Sequence, residues 1–173
     1  MKRTLWVLAL AALTGCQMMG DSGEAARATA GLDPTKGNKT RGEATFEQRG
    51  NKVHVVIFVE GLKPGQEHGL HIHEVGDCSS GDGMSAKGHF NPFGKPHGTP
   101  GTAERHAGDL PSLKAEKNGR AKIDVEVDLI TVTPGPASII GKAVIVHADP
   151  DDFKTQPTGN AGARLACGVI RAG

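Results

Sequence analysis

The chain has 173 residues, with 20 Lys and Arg against 19 Asp and Glu and a formal net charge of +1. That balance gives no electrostatic case for binding nucleic acid or an anionic membrane surface. Twenty-five glycines, ten prolines and 3% aromatic residues describe a turn-rich chain whose core must be built mainly from Val, Ile, Leu and Ala.

The N-terminus, MKRTLWVLALAALTGC, joins a basic start (Lys2, Arg3) to an apolar run from Leu5 to Leu13. The run is too short to span a bilayer and has the build of an export signal. Its Leu-Thr-Gly-Cys ending resembles the bacterial lipobox, in which the cysteine becomes the lipidated first residue. The expectation is a lipoprotein signal over 1–15, a lipidated Cys16 with a polar tether over 16–24, and one domain over 25–173. Gln17 is not the aspartate associated with inner-membrane retention, which favours an outer-membrane anchor facing the periplasm of an exported, bacterial envelope protein. An ordinary signal peptide with a chance cysteine is the plainer alternative. Without Lys2 and Arg3 the count is 18 basic against 19 acidic residues, still nearly neutral. In an exported chain the remaining pair, Cys78 and Cys167, is most simply a disulfide. Lying 89 positions apart, the two lack the close spacing usual for a thiolate metal site.

The domain reads as strands almost throughout. Ala25 to Leu32 opens it, and GEATFEQ (42–48) pairs with KVHVVIFVE (52–60) across Arg49-Gly50-Asn51, with Val53, Val55, Ile57 and Val59 on one face. Glu67 to His73 and Leu110 to Glu116 follow. AKIDVEVDL (121–129) alternates Ile123, Val125, Val127 and Leu129 with Asp124, Glu126 and Asp128, the period of a half-buried strand. It comes after Asn118-Gly119, a strong hairpin signal. KAVIVHA (142–148) and RLACGVI (164–170) read as buried strands. Eight strands without a helical stripe predict an all-β sandwich or barrel.

Residues 74 to about 108 form a long stretch rich in Gly, Ser, His and Pro, and 148–163 a second; irregular segments of this length are usually functional or disordered. Five of the eight histidines, with Asp109, lie in or beside the first loop or at its entrance. His89, His97, His106 and Asp109 can wrap a tetrahedral ion and supply the order the loop lacks. His71 and His73, two apart on a strand, share one face. With His147 from a neighbouring strand and a shared loop histidine, they suit copper.

GLHIHEVGDC (69–78), GHFNP (88–92), KPHG (95–98), RHAGDL (105–110), VIVHADPDD (144–152) and TGNAGARLACGVI (158–170) together resemble the motifs of copper/zinc superoxide dismutases, in family order and from about residue 25 onward. The resemblance implies an eight-stranded antiparallel Greek-key sandwich or flattened barrel with two long functional loops. It implies copper on His71, His73, His89 and His147, and zinc on His89, His97, His106 and Asp109, with the His89 ring bridging both. Asp151 matches a carboxylate that orients one copper and one zinc histidine. Arg164 matches the arginine that attracts the anion beside copper, and Thr158 the threonine that narrows the channel. The implied reaction converts two superoxide anions and two protons to O2 and H2O2 by copper redox cycling, with His89 taking up and returning a proton. In an exported protein this would protect the envelope from extracytoplasmic superoxide. Cys78, eleven residues before His89, sits as in bacterial members, and Cys167 is in the usual place. The loop after His147 is shorter than the eukaryotic one, so no substrate-guiding charge network is carried over. Monomer and homodimer both remain open.

Plainer readings apply elsewhere. His54 and His68 are expected to be packing or surface residues, Asp124, Glu126 and Asp128 a solvated strand face, and Met18, Met19 and Met84 too scattered to define a copper-handling site. Two rival functions stand beside the enzyme: a metal-buffering lipoprotein on the same fold, and an adhesive β-sandwich whose matching ligands arose by chance.

Overall fold

The computed structural model describes residues 25–173; the expected signal, Cys16 and the tether lie outside them. Ten strands follow in chain order: β1 (Arg27–Pro34), β2 (Arg41–Arg49), β3 (Lys52–Glu60), β4 (Glu67–His68), β5 (Leu70–His73), β6 (Leu113–Lys114), β7 (Ala121–Val127), β8 (Ala143–His147), β9 (Arg164–Val169) and β10 (Arg171–Ala172). Hydrogen bonding runs β5-β8-β9-β1-β2-β3-β7, with β10 beside β1 and β4 paired to β6. These strand pairings are antiparallel. The sheet turns its corner on β1, whose residues 27–32 pair with β2 while Asp33 and Pro34 pair with β9. The chain leaves β3, builds β4 to β6, and returns to β3's free edge as β7, giving the Greek-key crossing of a curled antiparallel sheet.

Alternation places the core. Val53, Val55, Ile57 and Val59 are fully buried and pack with Ala44 and Phe46 of β2 and with Val144 and Val146 of β8. Each such aliphatic contributes about 1.5–3 kcal/mol when fully buried. All five residues of β8 are buried because its outer face is covered too: Ile145 joins Ala86, Ala143 and Cys167 in a second small cluster against Cys78. The Cys78–Cys167 disulfide, with Cα atoms 5.8 Å apart, fastens the long loop to this face.

The eight expected strands are all present, with local differences. Glu67–His73 divides at Gly69, where a Cβ would lie 2.8 Å from Ala161 Cβ, so the second irregular stretch crosses the strand there. Leu110–Glu116 contributes only β6, and Arg171–Ala172 adds a short strand to β1. The alternation in β7 ends at Val127; Leu129 adopts φ 61° and packs half-buried against the core, with Ile130 fully inside beside it.

Both long loops are ordered by hydrogen bonds. The first lies along β5: Ile72 N–H donates to Gly108 O, Phe90 N–H to Ile72 O and Gly108 N–H to Phe90 O, at 2.8–2.9 Å. Its buried Arg105 reaches Thr102 O and the Asp128 carboxylate. The second closes on itself, as Ala148 N–H donates to Ala163 O, Asp149 N–H to Ala161 O and Asp152 N–H to Gly159 O.

Candidate metal centre

The six expected histidine ligands and Asp109 all lie in one buried region between β5, β8 and the two loops, each no more than 6% exposed. His71, His73, His89 and His147 offer ligand atoms within 4.8 Å of one another, and so do His89, His97, His106 and Asp109. His89 belongs to both groups. Backbone pairing sets this up: β5 pairs with β8, His73 bridges to His89, and His71 bridges to Asp109.

Hydrogen bonds decide which nitrogen of each ring is left with a lone pair. His71 Nε2 contacts Asp151 Oδ2 at 2.6 Å, His73 Nδ1 contacts Lys87 O at 2.8 Å and His147 Nδ1 contacts Gly162 O at 3.3 Å. Each acceptor requires the N–H on that nitrogen. The opposite atoms, His71 Nδ1, His73 Nε2 and His147 Nε2, are buried without a hydrogen-bond partner, as is His89 Nε2. His68 Nε2 is unpartnered too, but four such imidazole nitrogens gathered in one group are costly for a protein alone. They are what a metal suited to nitrogen ligands requires.

The neighbouring group has a different donor set. Asp109 Oδ1 lies 2.9 Å from His89 Nδ1, 3.0 Å from His97 Nδ1 and 3.5 Å from His106 Nδ1, and His106 Nδ1 lies 3.3 Å from His89 Nδ1. Asp109 Oδ2 accepts the Gly98 and His106 backbone N–H groups at 3.0 and 2.9 Å. Three imidazole nitrogens and one oriented carboxylate match the ligand chemistry of a tetrahedral zinc site. Asp151 joins the groups, its Oδ1 accepting from His97 Nε2 at 2.9 Å and its Oδ2 from His71 Nε2. Gly159, at φ 65°, makes room: a Cβ there would overlap Asp151 Oδ1 and lie 2.6 Å from His97 Nε2.

Charge follows the same division. Burial, reinforced by neighbouring rings and Arg164, holds His73 and His147 well below the usual histidine pKa. Burial lowers His71 despite Asp151 and takes His89 to about 4 despite Asp109. These rings are neutral near pH 7. His97 behaves oppositely: burial lowers its pKa, but the Asp109 and Asp151 carboxylates outweigh burial and raise it to about 9. Burial raises both carboxylates, yet hydrogen bonds from the histidines hold them below the ordinary range.

Arg164 and Thr158 line a cavity of about 460 Å³ that His73 and His147 also line. The Arg164 guanidinium donates to Gly83 O and Lys87 O, both at 2.6 Å, so it stands beside the copper-type group. Lys87 holds φ 60°, an uncommon conformation for a non-glycine residue, and its carbonyl serves both His73 and Arg164. His54 pairs with Asp124 at the surface, 2.7 Å apart. His68 is buried, with Nδ1 2.8 Å from His147 O. Sequence reasoning missed Lys87 O and Gln156, whose amide contacts the His97 backbone at 2.8 and 2.9 Å; neither residue type signals such a role.

Known proteins match this pattern. The family model for copper/zinc superoxide dismutase (SODC) matches residues 40–170. The Cu-Zn superoxide dismutase of Paramecium bursaria Chlorella virus 1 is 43% identical over 136 residues, 75% of this chain and 72% of the relative. The Cu-Zn superoxide dismutase 2 of Aquifex aeolicus (strain VF5) is 40% identical over 134 residues, 75% of this chain and 78% of the relative. The crystal structure of the clock protein EA4 superposes with TM-score 0.77 at 43% identity, covering 86% of this chain and 95% of that one. With its fold, its paired histidine clusters and these matches in agreement, the chain belongs to the copper/zinc superoxide dismutase family.

Proposed function

We propose that this chain carries out the family's dismutation of superoxide with copper held by His71, His73, His89 and His147 and zinc by His89, His97, His106 and Asp109. One observation carries the assignment: His89 alone belongs to both ligand groups, with Nδ1 among the zinc-type donors and Nε2 unpartnered among the copper-type donors. Bound copper would supply the one-electron redox steps, and zinc would hold the shared ring without redox chemistry.

The chain's own side chains do the rest. Arg164 holds a fixed positive charge beside the cavity and raises the encounter rate of a small anion. Thr158 narrows the same cavity. His89 Nε2 is the atom that takes up a proton and gives it to the departing peroxide. Asp151 accepts from Nε2 of both His71 and His97, which turns Nδ1 of His71 to the copper-type group and Nδ1 of His97 to the zinc-type group, and Asp109 orients the other side.

The reading extends to location. The leader and Leu-Thr-Gly-Cys ending support an exported protein anchored through lipidated Cys16 to the outer membrane, guarding the bacterial envelope against extracytoplasmic superoxide, as a monomer or homodimer. Pulse radiolysis of the copper- and zinc-loaded protein should show catalysed superoxide decay; metal binding without catalysed decay would leave a metal buffer instead. Radiolabelled palmitate should enter the wild-type chain and not Cys16→Ser.

A further inference from the structure

Met84 is an apolar side chain at a polar mouth. It is 59% exposed, the most of the three exposed large hydrophobics among the described residues. It shares the cavity of about 460 Å³ with His73, His147, Thr158 and Arg164. Its backbone is firmly held. Met84 begins the single turn of 3-10 helix Met84–Ala86, whose Ala86 is fully buried. The carbonyls flanking that turn, Gly83 O and Lys87 O, each accept a guanidinium N–H from Arg164, and Lys87 O also accepts His73 Nδ1–H. The thioether is therefore presented beside the cavity by the same bonds that orient a histidine ligand.

An uncharged thioether does nothing to attract an anion, and leaving it exposed forgoes the gain of burying it. What a thioether does bind is a soft cation, Cu(I) above all. Further along the same cavity, His73 Nε2 and His147 Nε2 are buried and unpartnered. We propose that Met84 is an entry contact for Cu(I): its sulfur meets the ion at the cavity mouth and passes it to His73 and His147. The inference rests on the copper assignment made above. It gives Met84 a role in capture and none in holding the resting ion.

The test uses zinc-loaded, copper-free full-length protein with its disulfide intact. Cu(I) is presented anaerobically as its bicinchoninate complex, and loss of that complex's colour is followed by stopped flow for wild type and Met84→Leu, which keeps size and apolarity. Loss of the sulfur should slow Cu(I) uptake ~5-fold or more, leave final copper content unchanged, and leave Cu(II) uptake from a glycine complex unchanged, because thioether softness favours Cu(I). Equal Cu(I) rates in the two proteins overturn the proposal. Equal slowing of Cu(I) and Cu(II) also overturns it, since that is a steric effect. A wild-type protein that accepts neither ion overturns the copper assignment itself.

Discussion

The Gln156 side chain grips the backbone of His97 at both ends: its Oε1 accepts the His97 N–H at 2.8 Å and its Nε2 donates to the His97 carbonyl at 2.9 Å. A residue of the second loop thus fixes a zinc-type ligand of the first. Outer contacts that orient metal ligands typically matter 10–100-fold in affinity. Gln156→Ala should weaken zinc binding by about 10-fold, measured by competition with a chromophoric chelator, with copper affinity little changed. Unaltered zinc affinity would show that Asp109 and Asp151 position His97 unaided.

Proton counting separates the two sites. In the metal-free protein at pH 7, His97 carries a proton between Asp109 and Asp151, its pKa raised to about 9. Zinc needs the Nδ1 lone pair, so binding at pH 7 should release about one proton there, and affinity should rise until pH approaches 9. Copper added next meets neutral His71, His73 and His147, and should displace about one further proton from the shared His89 ring. Titration calorimetry in buffers of different ionisation enthalpy measures both numbers. The stability of the metal-free protein runs the opposite way. A folded pKa above the unfolded value of 6.5 stabilises the metal-free protein fully below pH 6.5, and that contribution is lost as pH rises towards 9. The metal-free Tm should reflect this loss across that window.

Much of this was legible because ligand chemistry restricts residue type. His71 and His73, two apart on β5, and the spaced set His89, His97, His106 and Asp109 had to be His or Asp, and the structure gathers them as their spacing suggests. Alternation in β3 was equally readable, since one face had to be apolar. What escaped notice depends on backbone atoms or on a single bend. Lys87 O orients His73 and Arg164, yet any residue has a carbonyl. Gly69 interrupts a predicted strand because Asp149 and Ala161 of a distant loop cross there, and one positive φ at Leu129 ends the strand's alternation, leaving Leu129 half-buried against the core. His68 was expected to be structural and is, but its bond to the His147 carbonyl joins residues 79 positions apart.

The disulfide acts on both stability and site. It closes a loop of 89 residues and constrains the unfolded chain by about 4–5 kcal/mol on the entropic model. The double variant Cys78→Ser with Cys167→Ser should lose about 2–5 kcal/mol in urea unfolding of the metal-loaded protein. The same loop carries Gly83 O and Lys87 O to Arg164, so the superoxide rate constant should fall as well, even where the protein remains folded. A variant with lowered stability and full activity would show that Arg164 needs no such support.

Arg164 tests charge against geometry. Its guanidinium uses two N–H groups on carbonyls at 2.6 Å, a fork that an ammonium cannot reproduce. Arg164→Ala should lower the superoxide rate constant by about 10-fold or more and flatten its dependence on ionic strength, because the steering charge is gone. Arg164→Lys should keep the salt dependence while recovering only part of the rate, since the charge survives but is no longer clamped beside His73. Pulse radiolysis across a range of salt concentrations gives both quantities. If Lys restores the full rate, positive charge near the cavity is sufficient and the two carbonyl contacts serve the loop; if Ala keeps the wild-type salt slope, the steering field arises from other residues.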